Sequence, residues 1–77
     1  MTVVKDLTAN VKNLVINEEL DVEGKAVITA TENINAKTVE IAGTANITAV
    51  VATVETLTVN STANITADTA TIGTLTV

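Results

Sequence analysis

The strongest constraint on this chain is that it repeats itself. Residues 45–59 (ANITAVVATVETLTV) and 63–77 (ANITADTATIGTLTV) are identical at eleven of fifteen positions when Ala45 is set on Ala63. Each copy holds three short units that read apolar–x–apolar, and the last copy has Ala63-Asn64-Ile65, Ala70-Thr71-Ile72 and Leu75-Thr76-Val77. The same units run back through the chain. They are Ala45–Ile47, Ala52–Val54 and Leu57–Val59, then Ala26–Ile28, Ile34–Ala36 and Val39–Ile41, then Leu7–Ala9, Leu14–Ile16 and Leu20–Val22. Unit starts at residues 7, 26, 45 and 63 give periods of 19, 19 and 18. All 24 flanking positions are apolar and ten of the twelve middle ones polar, with Val15 and Val27 the exceptions. Period-two alternation places successive side chains on opposite faces of a strand.

Isolated three-residue strands cannot sustain a hairpin or a sandwich. Stacked coils can, because each strand then pairs with its copy one coil away, about 4.7–4.9 Å along the axis. The pattern therefore predicts an all-β fold, a β-solenoid (a triangular β-helix) of about four coils with three short strands in each. A lead-in covers residues 1–6, and the coils cover 7–25, 26–44, 45–62 and 63–77. Glu23-Gly24-Lys25, Ala42-Gly43-Thr44 and Asn60-Ser61-Thr62 occupy one recurring corner, where small residues tolerate unusual backbone angles. The spacing leaves open whether strands pair within one chain or between intertwined chains.

Composition agrees. The chain has sixteen Thr and no Phe, Tyr, Trp, Pro, Cys or His, so neither bulky aromatics nor disulfide or His/Cys metal staples support it. Seven of the 24 inward positions are Ala, which makes the core thin. The chain is expected to stop at an uncapped strand, and an open coil end presents unpaired edges. Self-association follows as an expectation. Val11, Ala30, Ala49 and Ala67 fall at one connector position in all four coils, with Val50 and Val51 beside it in the third. An exposed corner has no need of apolar residues, so these six are the candidate interface, a lengthwise seam between copies.

The function classes that remain are few. A net charge of −5 with four scattered lysines and no stacking aromatics argues against nucleic-acid binding. The apolar runs are too short to span a bilayer, and no signal peptide is expected. No Gly-rich phosphate loop, Ser-His pair or His/Cys metal spacing occurs, so no catalytic residue, cofactor site or metal site is assigned. Glu18, Glu19, Asp21 and Glu23 cluster in the first coil, where a solvated face accounts for them. Residues 1–25 carry eight of the thirteen charged side chains, which sets that end apart from the Thr/Asn-rich coils.

Three resemblances bear on function, and a fourth bears on the fold. Ala70-Thr71-Ile72-Gly73 resembles the hexapeptide unit of left-handed β-helix acyltransferases. Their even spacing of six is here 7, 5 and 6 (Ala45, Ala52, Leu57, Ala63), and a chain without His excludes their activity. Thr56-Leu57-Thr58-Val59-Asn60 and Ala70–Val77 resemble Thr/Asn-rich repeats in tail, collar and head fibres of bacteriophages. That resemblance implies a non-catalytic, homotrimeric virion component whose charged N-terminal end (Lys5 of the lead-in, and Lys12, Glu18, Glu19 and Lys25 of the first coil) meets other virion proteins. Ala36–Ala49 is similar to a coil of the bactofilins, which implies a self-polymerising filament in the bacterial cytoplasm. The outward pairs Thr56/Thr58 and Thr74/Thr76 also resemble the Thr array of insect ice-binding β-helices, with Thr38/Glu40 and Glu19/Asp21 as their counterparts in earlier coils.

Overall fold

The computed structural model describes residues 2–77, with side chains from residue 3 onward. It is a parallel β-solenoid of about four turns. Strand β1 (Thr2–Val4) precedes four long strands, β2 (Leu7–Val22), β3 (Ala26–Ile41), β4 (Ala45–Val59) and β5 (Ala63–Thr76). They form one sheet in the order β1-β2-β3-β4-β5, with every neighbour parallel. The four long strands open at the four starts given by the repeat.

Each coil is one continuous strand and not three separate ones. A straight strand as long as β2 or β3 would measure about 53 Å. The whole molecule extends only 26 Å along its longest axis, so each strand bends round the axis without leaving the ladder. Bends that stack on identical bends keep their amides and carbonyls paired, which is why they remain strand. Unequal lengths are absorbed locally, by register shifts at Val11/Asn13 and Ile16/Glu19 in β2 and at Thr29/Asn33 in β3. Coils pair within the chain.

The strands are interrupted at one recurring corner, Lys5–Asp6, Glu23–Lys25, Ala42–Thr44 and Asn60–Thr62. Here Gly43 N donates to Gly24 O at 2.9 Å and Ser61 Oγ to Ala42 O at 3.3 Å. Strained dihedrals do not explain the glycines, since none among the described residues has positive φ. Close approach does. A Cβ on Gly43 would meet the Gly24 carbonyl, with the carbonyl carbon 2.7 Å away, and one on Gly24 would meet Asp6 Oδ1 and, at 2.7 Å, Lys5 O.

The core runs along the axis as columns of Val, Ile, Leu and Ala. It contains no buried polar or charged side chain among the described residues. Both middle coils, β3 and β4, bury their inward residues fully because a coil covers each side. In β2 and β5 most inward residues are half-buried. Leu57 is 1% exposed whereas Leu75, in register with it, is 50% exposed. Direction of the side chain is thus set by alternation, and coverage by position in the stack.

Candidate functional site

Val11, Ala30, Ala49 and Ala67 all lie on the inside of the coil. Register pairs Val11 with Ala30 and Ala49 with Ala67. Ala30 is only 3% exposed and Ala49 8%, and Val11 and Ala67 pack against the same core. The expected seam between copies is therefore corrected to an internal column. Alternation does not stop after three residues on this side of the coil: Ala26, Ile28 and Ala30 all point inward, as do Ala45, Ile47 and Ala49. Of the six seam residues, Val50 lies exposed and Val51 half-buried, and they do not extend into an apolar stripe.

Outward positions form polar columns. Thr38, Thr56 and Thr74 stack, and beside them Asp21, Glu40, Thr58 and Thr76. The Thr pairs are thus in register, but the second column turns acidic in the first two coils. Asn33 Nδ2 donates to Asn13 Oδ1 at 3.1 Å, and Asn64 Nδ2 to Asn46 Oδ1 at 3.1 Å, two amide ladders that clip neighbouring coils together. Lys12 Nζ lies 3.3 Å from Glu32 Oε2, an exposed ion pair. The Asn13–Asn33 and Lys12–Glu32 pairs are offset by one position more than the coil period that separates Leu7 from Ala26. An extra residue in the β3 bend hides them from a fixed offset.

Two shallow hollows of about 210 and 260 Å³ flank the outward column Val15, Asn35 and Thr53. Their walls are amide, hydroxyl and aliphatic groups, with Lys37 and Glu55 at one rim. No nucleophile–base pair converges there. Among the described residues no group of three or more His, Cys, Asp or Glu is placed to hold a metal ion; of the acidic side chains of the first coil, Glu18 and Glu23 are exposed and Glu19 and Asp21 half-buried. Among the described residues no helix is long and apolar enough to cross a membrane.

The least satisfied surfaces are the two ends of the stack. β1 covers β2 only at Leu20–Val22, so among the described residues the outer edge of β2 from Leu7 through Ile16 has no strand partner. The outer edge of β5 has none either. No protein-family model, curated protein or solved structure matches the chain. The site is therefore read from its own geometry.

Proposed function

We propose that this chain is a non-catalytic structural element that associates with copies of itself. The observation that carries the proposal is self-complementarity of the coil. β4 and β5 pair at twelve positions, with like on like at all but Val51/Thr69. A unit that stacks on its own copy within a chain is equally suited to stack or align between chains. The β-solenoid fold is consistent with a structural repeat protein. In its more specific form the proposal is a segment of a phage-type virion fibre, with three copies side by side. The charged N-terminal end, through Lys5 of the lead-in and Lys12, Glu18, Glu19 and Lys25 of the first coil, then meets other virion proteins.

A second reading is an end-to-end filament of the bacterial cytoskeletal kind. The unpartnered edges of β2 and β5 favour it, because open edges of a parallel sheet accept another strand directly. Particle mass separates the two. Sedimentation velocity over a range of concentrations is expected to give one discrete trimer for the fibre and an open series of sizes for the filament. A chain that stays monomeric at high concentration removes both.

A further inference from the structure

We infer that copies of this chain join head to tail, the coil of residues 63–77 in one copy docking on β2 of the next, and that β1 is a displaceable cap on that joint. The inference rests on the end-to-end reading and not on the trimer, and its occupant is a second copy of this chain.

Three observations support it. The first is polarity. All strands are parallel, so the outer edge of β5 offers the next strand the same donor and acceptor direction that β2 offers β3. The second is the match of side chains. Continuing the register sets Ala63 on Leu7, Ile65 on Ala9, Ala67 on Val11 and Ala70 on Leu14, large against small, and Ile72 on Ile16 and Leu75 on Leu20, so each of these inward contacts is apolar on both sides. On the outside it sets Asp68 on Lys12, which stand at the same distance past their coil starts at Ala63 and Leu7. Lys12 already holds Glu32 on its other side, so the joint would place it between two carboxylates. The outward neighbours Asn64/Thr8, Thr66/Asn10 and Thr69/Asn13 are uncharged, and no like charges meet.

The third observation is a conflict on the remaining side of the coil. Leu75 continues the column of Leu20, Val39 and Leu57, and Thr2 of β1 is the register partner of Leu20. In a head-to-tail stack, Leu75 of one copy and Thr2 of the next claim the same place. Full pairing requires β1 to leave. β1 is well suited to leave, because it pairs at only three positions and its Val3 is exposed. The incoming Leu75 is half-exposed in the free chain, so the exchange covers an apolar side chain that has a coil on one side only. The joint therefore has a closed form, with β1 in place, and an open form that admits a partner.

The test uses the full chain in four forms: unaltered, lacking residues 2–4, Asp68→Lys and Lys12→Glu. Far-UV circular dichroism first establishes that each is folded, and sedimentation velocity then follows mass against concentration. The unaltered chain is expected to form an open series, and removal of β1 to shift that series to lower concentration. Each charge reversal should weaken association roughly two- to five-fold at low salt, as for an exposed ion pair. Mixing Asp68→Lys with Lys12→Glu should restore it, because the mixed stack contains joints that again pair opposite charges. If the deletion unfolds the chain, the mixing experiment decides alone. A monodisperse trimer indifferent to both charge reversals overturns the inference while leaving the fibre reading intact. Monomers in every form overturn both.

Discussion

Leu57 and Leu75 offer a controlled comparison inside one molecule. Both sit in a Thr-Leu-Thr sequence, both point inward and they are partners in the β4–β5 register. They differ in coverage: Leu57 is almost wholly enclosed between coils, and Leu75 has a coil on one side only. Replacing either by Ala removes three carbons. At about 0.8 kcal/mol per buried carbon, Leu57→Ala forfeits about 2.4 kcal/mol of transfer free energy. The cavity left between β3 and β5 brings the expected loss to about 3–4 kcal/mol. Leu75→Ala loses half of that transfer and leaves no enclosed void, about 1 kcal/mol. With no aromatic side chain in the sequence, unfolding is followed by circular dichroism in urea, at concentrations low enough to suppress association. Equal losses for the two variants, within about 0.5 kcal/mol, would refute the claim that coverage by the next coil sets the stability of each inward residue. If the head-to-tail joint forms, the cost of Leu75→Ala should grow with protein concentration while that of Leu57→Ala should not.

Other substitutions probe separate features. Ala49→Leu should cost about 1–3 kcal/mol by overpacking the internal column, measured by urea denaturation; a neutral result would return Ala49 to the surface. Gly43→Ala should destabilise, because its Cβ meets the Gly24 carbonyl, whereas Ser61→Gly at the same corner should change stability by no more than about 1 kcal/mol; thermal melts of the pair compare them. Asn46→Ala should remove one amide ladder bond to Asn64, about 0.5–1.5 kcal/mol, with faster amide exchange in β5 as the local readout. Thr58→Asp sets a carboxylate beside Glu40 on an outer face and should cost under about 1 kcal/mol, recovered in high salt.

Coil boundaries and the inward columns are legible in the sequence because both are periodic. Recurrence marks Leu7, Ala26, Ala45 and Ala63 as coil starts, and alternation marks which of their neighbours point in. The misplaced seam shows where this reasoning runs short. Counting strands in threes makes Ala30 and Ala49 connectors, although they continue the alternation of Ile28 and Ile47 by one more step. An Ala carries too little hydrophobicity to announce that it faces a core. Strand β1 is also invisible, since Thr2-Val3-Val4 lacks the alternating signature and is strand only because Leu20–Val22 offers it an edge. Corner glycines are found by register, but their cause is steric contact with the coil below. That cause depends on a neighbour a full coil earlier in the chain, beyond the reach of any local pattern.

The separation between paired residues also governs how this protein must fold. Nearly every stabilising pair joins residues one whole coil apart, and the described residues hold no hairpin or helix to form first. A single coil has nothing to bond to, so the earliest productive event is closure of two whole coils at once, with its full loop entropy. Each later coil then adds to a finished template and costs less. The β3–β4 pair, whose inward residues are buried most completely, is the expected nucleus, with growth outward to β2 and β5 and last to β1. Refolding should accordingly be slow for so short a chain. Hydrogen exchange should be slowest in the middle coils and progressively faster towards either end.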